Sequence, residues 1–379
     1  MALVLNDEQQ LLLSTVQGFV REKAPVKHLR QLRDSNDAVG FSRDLWKEMA
    51  ELGWAGITFP EQYGGSGLGY AELGIVLEEC GRTLVPEPFL STVVLGGELL
   101  LRAGREEQKK EILGGIAEGR TILAVATQER GRFEPYVVET RAEPRAGGFT
   151  LTGNKRFVLD GHVADHIIVP VRTSGAAGDR DGITLFILPS NAPGLTVQRT
   201  IMVDSRNAAN LHLENVQVAT DQILGEVGAG ADLLDAAYDR ATIALSAQLL
   251  GVLTEAFERT VAYLKTRTQF DVKIGSFQAL KHRASTMFCE VELTKSAVMD
   301  ALRAIDESRE EVPKMASVAK ARSSDTAGLV TREAIQMHGG IGMTDEEEIG
   351  LFLKRARAAE LTLGDSTYHR DRFAKLSGY

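Results

Sequence analysis

The chain has 379 residues, 44% hydrophobic and 25% charged, with a formal net charge of −9. That describes a globular protein long enough for two or three domains with real cores, and the acidic balance argues against a nucleic-acid partner while leaving room for local basic patches that meet a phosphorylated ligand. The two cysteines, Cys80 and Cys289, form no CxxC pair, which excludes a disulfide framework or cysteine zinc site and fits a reducing compartment. The first residues lack the basic region of a secretion signal and the arginine-rich character of a transit peptide, and no apolar run approaches a membrane span, so a cytoplasmic protein is expected.

Residues 1–120 read as helical. Asn6 or Asp7 can cap a helix that places Leu11, Leu12, Val16, Phe19 and Val20 on one face. A second helix is expected over Phe41–Leu52, presenting Leu45, Trp46 and Met49. The glycine-dense stretch from Pro60 to Gly69 lacks both the G-x-G-x-x-G spacing and the Walker Lys-Ser/Thr, so it reads as a tight loop into a helix at Tyr70–Gly81. Further helices are expected over Leu90–Ala103 and Glu106–Gly119.

From Thr121 the pattern changes to short β-rich runs: Ile122–Thr127, Phe149–Thr152, Arg156–Leu159, His166–Val171, Thr184–Leu188, Thr196–Gln198 and Ala209–Leu213. Turn clusters such as Ala146-Gly147-Gly148 separate them, giving an all-β domain over residues 121–229. The histidines form no ligand set: His162 and His166 are four apart but in strand-rich sequence, so they do not share a helix face, and no metal site is expected.

Residues 230–379 are helical again. Leu234, Tyr238, Ala241, Leu245, Leu249, Val252 and Ala256 keep a 3.6-residue period to about Arg267, as a bundle helix requires. Phe277–Glu307, Pro313–His338 and Glu346–Leu363 supply more long helices. Between the last two lies a glycine corner, Gly339-Gly340, where backbone can approach a bulky ligand; two ordinary helix C-caps would leave the same sequence trace. Thr344 with Glu347 reads as the N-terminal capping box of the next helix, which is expected to end in Lys354, Arg355 and Arg357.

Two stretches together carry a resemblance. One is Arg267-Thr268-Gln269-Phe270 followed by Phe277-Gln278; the other is Gln336-Met337-His338-Gly339-Gly340-Ile341-Gly342, a basic helix and the corner at Gly364. They resemble the acyl-CoA dehydrogenase family, which desaturates acyl-CoA thioesters between Cα and Cβ with FAD. The resemblance covers essentially the whole chain, including a Pro60-Glu61-Gln62-Tyr63-Gly64-Gly65 loop in the N-terminal part. It implies an N-terminal helical domain, a middle β-barrel domain and a C-terminal four-helix bundle. It also implies that Arg267, Phe270, Gln278 and Gln336 to Gly340 (with Met337, His338 and Gly339) hold an FAD whose ring sits on a neighbouring subunit. An arginine fork on a pyrophosphate beside a packed phenylalanine is sound chemistry for that task.

The other half of the family pattern is degraded. Thr127 survives as a hydroxyl suited to flavin N5, but Pro-Gly and Gly-Ser-Asp elements are absent after it, and the family's Trp-x-Thr reads Phe157-Val158-Leu159. Cα-proton abstraction needs a positioned carboxylate. The family's glutamate position before the last corner holds Leu363; the position used by a few members on the first long bundle helix holds Ala241, followed by Thr242. The nearby carboxylates are Asp365, expected to cap the terminal helix, and Asp239, expected to pair on the helix surface beside Arg240 or to contact a ligand.

The expectation is therefore a non-catalytic small or β subunit of a heteromeric acyl-CoA dehydrogenase, resembling those of bacterial complexes that act on dicarboxylic or steroid side-chain CoA thioesters. Its partners would be an acyl-CoA substrate, a homologous catalytic subunit in a heterotetramer, and an electron-transfer acceptor. The alternatives are a self-sufficient homotetramer using Asp365 or Asp239 as base, an oxidase or monooxygenase on the same fold, and a flavin-free interaction subunit.

Overall fold

The computed structural model describes residues 4–379. Helix α1 (Asp7–Lys23) starts from a complete capping box: the Gln9 amide donates to the Asn6 side chain at 2.8 Å, and the Asn6 N–H donates to the Gln9 side chain at 3.1 Å. Val16 and Val20 are buried, but Leu11, expected on the same face, is 68% exposed. Helix α2 (Val26–Asp34) has no counterpart in the apolar periodicity, because it buries only Val26 and Leu29 among charged residues. Helix α3 (Arg43–Glu51) begins later than Phe41, since the Ser42 hydroxyl caps it. The glycine loop runs through a 3₁₀ turn at Glu61–Tyr63 into α4 (Tyr70–Arg82). A π-helix (Phe89–Gly96) leads to α5 (Gly97–Ala103) and the short turns α6 (Glu106–Gln108) and α7 (Gly114–Ala117).

Strands β1 (Leu123–Val125), β2 (Arg141–Arg145), β3 (Gly148–Leu159), β4 (His166–Arg172), β5 (Ile183–Pro189), β6 (Leu195–Ile201), β7 (Asn207–Ala219) and β8 (Ile223–Leu224) form one sheet in the order β6-β7-β3-β2-β4-β5-β8, with β1 pairing β4 in parallel. The two runs expected at Phe149–Thr152 and Arg156–Leu159 are one strand, β3, continuous through register shifts against β7. β2 is hidden in the sequence because Arg141, Glu143, Pro144 and Arg145 break any apolar alternation.

The C-terminal helices are α8 (Gly230–Thr266), α9 (Gln278–Asp306), α10 (Val312–His338), α11 (Ile349–Leu361) and α12 (Ser366–Leu376). A two-residue hairpin, β9 (Thr268–Gln269) and β10 (Val272–Lys273), joins α8 to α9. Two compact units emerge. The first combines 4–35, 70–85 and 242–379; the second combines 36–69 and 86–241; α8 contributes to both.

In the first unit α4 crosses α8 with backbone nearly touching backbone. A Cβ on Gly81 would lie 2.1 Å from the Gln248 carbonyl oxygen, and one on Gly251 1.8 Å from that of Glu78. Only glycine permits that approach. In the second unit the Thr92 hydroxyl of the π-helix donates to the Leu123 carbonyl at 3.0 Å and accepts the Leu123 N–H at 3.2 Å, fastening β1.

The expected cap at Thr344 is not made. The Thr344 hydroxyl donates to the Ile341 carbonyl, and α11 begins after Glu348 with no side-chain cap. Arg30 and Arg33 of α2 hold Asp345 in ion pairs, and Arg259 of α8 takes Glu348 at 2.7 Å, so the acidic run is spent on tertiary pairs rather than on a helix N-terminus. Nor does α11 end in its basic residues. Arg355 is buried in the middle of the helix and donates to the carbonyls of Leu84 and Val85. No helix among the described residues is long and apolar enough to cross a membrane.

Candidate functional site

At one end of the first unit the hairpin after α8 stands clear of the protein. Phe270 is 86% exposed, and it and Asp271 both take left-handed backbone, φ 54° and 63°. They are the two central residues of the loop between Gln269 and Val272, and a two-residue hairpin turn of this kind requires positive φ at both, so the pairing of β9 with β10 holds the tip there against a cost of about 1–2 kcal/mol per residue. Lys273 donates to the Thr266 carbonyl at 2.7 Å, and the Ile274 N–H to that of Arg267 at 2.9 Å, locking the hairpin on the C-terminus of α8. Phe277 meets Phe270 edge-on, with ring centroids 6.1 Å apart.

Two links bring the Gly-Gly corner to the same end. Tyr263, one turn before Arg267, stacks on His338 at 4.4 Å, and its hydroxyl donates to the His338 carbonyl at 3.3 Å. Arg283 near the start of α9 pairs with Glu333 near the end of α10. Arg267, Phe270, Gln278, Gln336, Gly339 and Gly340 are thereby gathered and exposed, while Met337 and His338 are buried as struts beneath.

The arrangement suits a phosphorylated nucleotide. Among the described residues the Arg267 guanidinium and the side-chain amides of Gln278 and Gln336 have no hydrogen-bond partner. A Cβ on Gly339 or Gly340 would meet nothing within 4 Å, so the space before the corner is open. Between Lys265 and Arg283 stand five lysines and arginines against a single acid, Asp271, in a chain that is acidic overall. An unpaired guanidinium fork on a basic end matches a pyrophosphate.

The last corner is built differently. Leu363 is buried at φ 59° and Gly364 follows at φ 96°. Lys320, with no exposed surface, donates from α10 to the carbonyls of Gly364 (2.6 Å) and Glu360 (2.9 Å). His369 of α12 donates from Nε2 to the Leu363 carbonyl at 2.9 Å. Burial pushes the Lys320 ammonium down to about 7; burial and then Lys320 push His369 down to about 3. Asp365 caps α12 by accepting the Tyr368 N–H at 2.9 Å. The corner is thus rigid and well supplied with hydrogen bonds, but the side chain it presents is a leucine.

His369 makes a pH prediction. Its folded value lies below the ordinary 6.5, so between pH 6.5 and about 3 the unfolded chain binds a proton that the native imidazole refuses. Stability should fall as pH drops through that window, and His369→Gln should flatten the fall, as thermal melting across the pH series would record.

In the second unit β1 delivers Thr127, half-buried, with a hydroxyl that has no partner among the described residues. The Arg156 N–H donates to the Gln128 carbonyl at 2.7 Å, so this loop lies against β3 one residue before Phe157. Phe157 is 44% exposed at φ 51°, in the irregularity where β3 slips against β7. The loop that follows Thr127 therefore lies against the part of β3 that carries the aromatic. What the structure does not supply is a second hydroxyl, since Leu159 stands there.

The loop also contains an ion pair that the sequence reading passed over. Lys155 donates to Glu129 at 2.6 Å and to the Pro170 carbonyl at 2.6 Å, and Glu129 accepts the Glu139 and Thr140 amides. Burial alone would raise the Glu129 carboxyl, but the Lys155 ammonium holds it below its ordinary value. The only signal in the sequence is a lone lysine inside an alternating strand. A cleft of about 580 Å³ opens here with a charged and polar lining that includes Glu129, Lys155, Arg156 and His212.

The alternative base positions carry no carboxylate. The one on α8 is Ala241, which is buried, as is Thr242 after it, where the family commonly has an arginine. Asp239 is only 5% exposed, which corrects the expected surface pair; Arg240 pairs instead with Glu98 at 2.9 Å, because the helix turns Asp239 inward at that point.

Comparison with known proteins gives a consistent result. Three family models match in sequence order: acyl-CoA dehydrogenase N-terminal domain over residues 6–120, middle domain over 124–216 and C-terminal domain over 228–377. The chain is 31% identical to the mitochondrial isovaleryl-CoA dehydrogenase of Pongo abelii, the match covering 97% of this chain and 88% of that protein. It is 30% identical to acyl-CoA dehydrogenase IpdE2 of Mycolicibacterium smegmatis, covering 95% and 96%. Among solved structures, the ChsE4-ChsE5 complex from Mycobacterium tuberculosis contains a chain with TM-score 0.90 and 26% identity, covering all of both chains.

Proposed function

The chain belongs to the acyl-CoA dehydrogenase family, whose cofactor is FAD, and on that premise we propose that it is the non-catalytic subunit of a heteromeric dehydrogenase. In this reading Arg267, Phe270, Gln278, Gln336, Gly339 and Gly340 hold the adenine and pyrophosphate end of a flavin whose ring lies in a homologous catalytic subunit, with Met337 and His338 supporting the corner. Bound FAD supplies the acceptor for the Cβ hydride of an acyl-CoA. The partner supplies the carboxylate that takes the Cα proton. Thr127 is the remnant of this chain's own flavin half.

The observation that carries the reading is a division within one chain. Unpaired recognition groups face open space at one end, while both positions that could hold the base are filled by buried Leu363 and Ala241. Undirected decay gives no reason for that sorting. The structural likeness to a chain of a two-component complex supports it.

Asp365 and Asp239 are poor substitutes for the glutamate, one committed to a helix cap and the other enclosed. Asp365→Asn keeps a good N-cap. It should leave turnover of the complex within about twofold, and Asp239→Asn likewise, by steady-state assay with acyl-CoA and an artificial acceptor; a loss of about a hundredfold or more would favour a self-sufficient enzyme with that aspartate as base. Co-expression with a family member that carries the glutamate should yield one complex containing both chains and FAD.

A further inference from the structure

We propose that Tyr263 is a positioning residue for the nucleotide grip: it sets the separation between Arg267 and the Gly339-Gly340 corner. The inference rests on the reading of that end as a nucleotide site, and it concerns how the site is built.

The two halves of the grip belong to different helices. The hairpin bearing Phe270 is fastened to the end of α8, through Lys273 to the Thr266 carbonyl and the Ile274 N–H to the Arg267 carbonyl. Gly275 returns so close that an added Cβ would stand 2.8 Å from the Leu264 carbonyl oxygen. The corner belongs to α10. There Gly339 takes φ 69° and ψ −144°, a conformation that glycine reaches easily and that its own sequence does little to fix. A grip made of two such parts needs a fixed spacing, because a guanidinium fork and an open backbone corner recognise one rigid ligand only at one separation.

Tyr263 supplies that spacing by two contacts of different kinds. Its ring lies on His338 at 4.4 Å with only 25° between the planes. Its hydroxyl donates to the His338 carbonyl, the peptide group that enters Gly339. His338 cannot swing away, since its Nδ1 is bonded to the Ala334 carbonyl at 2.7 Å on its own helix. Arg267 sits one turn on from Tyr263, with its N–H on the Tyr263 carbonyl at 2.9 Å. A single side chain therefore connects the α8 turn that carries the arginine to the peptide that shapes the glycine corner. Arg283 and Glu333 join α9 to α10 nearby, but they bear on neither α8 nor the corner peptide.

The test uses ADP, which carries the adenine and pyrophosphate without the ring, titrated calorimetrically into the purified full chain, with amide hydrogen exchange over residues 339–343 as a second readout. Tyr263→Leu removes both contacts, Tyr263→Phe keeps the stack, and His338→Gln removes the stack from the other side. We expect ADP binding to weaken about tenfold in Tyr263→Leu and His338→Gln and about twofold in Tyr263→Phe. Exchange at the corner should rise in the first two variants, with melting temperatures within a few degrees of the parent. Tyr263→Phe restoring affinity while Tyr263→Leu lacks it identifies positioning, since a general loss of fold would lower the melting temperature as well.

Tyr263→Leu and His338→Gln both binding ADP within about twofold of the parent, with unchanged exchange at the corner, would overturn the proposal. Arg267→Ala separates it from the reading beneath it. Should Arg267→Ala bind ADP as tightly as the parent, the nucleotide site itself is misplaced. Should Arg267→Ala weaken binding while Tyr263→Leu does not, the site stands and the positioning role fails.

Discussion

Replacing Arg267 with alanine should strip the assembled complex of most of its flavin. The guanidinium is exposed at a helix end and has no partner among the described residues, so it is held in readiness for a ligand rather than used in the fold. A hydrogen bond between charged groups is worth about 1.5–3 kcal/mol, which corresponds to a loss of about 10- to 100-fold in FAD affinity. Lysine should recover only part of it, because a point charge cannot present two parallel N–H groups to a pyrophosphate. Flavin retained through gel filtration, read from absorbance against protein, measures the effect. The fold should be indifferent, with a melting temperature like the parent's. Full flavin retention in Arg267→Ala would remove the arginine from the site.

The second large effect is expected at Lys320. Its ammonium lies wholly inside the first unit and holds the carbonyls of Glu360 and Gly364. Lys320→Ala leaves a cavity and two buried acceptors without their donor, at a cost of about 3–5 kcal/mol. Lys320→Met fills the space without donating, so the difference between the two variants separates packing from hydrogen bonding. Because burial holds the lysine down to about 7, its charge opposes folding most below that pH and ceases to do so as pH rises toward its ordinary value of 10.5. The parent should therefore gain stability from pH 7 upward, and Lys320→Met should gain less over the same interval. Urea denaturation across that pH range checks both points.

How far the sequence revealed this protein depended on how local each determinant is. The long period of α8, the Asn6 cap and the Asp365 cap are written within a few turns of chain, and they could be read directly. The Thr344 cap could not, because what displaces it is Arg30 and Arg33, more than three hundred residues away. The same holds for Lys320 and Lys155. A lysine within a helix or an alternating strand looks like a surface residue until the carbonyls or carboxylate that bury it come together from elsewhere.

The candidate site divides along the same line. The glycine corner and Arg267 were visible as a motif, and the emptiness of both base positions needed only the identities of Leu363 and Ala241. The stack that joins the motif's two halves was not visible, since Tyr263 and His338 are seventy-five residues apart and neither is unusual in its helix. The inward turn of Asp239 likewise depends on the packing of α8, which periodicity alone placed only approximately.

The most direct measurement is the flavin content and acyl-CoA-dependent dye reduction of this chain purified alone, set beside the same chain co-purified with a family member that carries the glutamate. The account predicts no turnover and no stoichiometric FAD from the single chain, and both from the pair. A yellow, active preparation of the single chain, with one FAD per polypeptide, would contradict it.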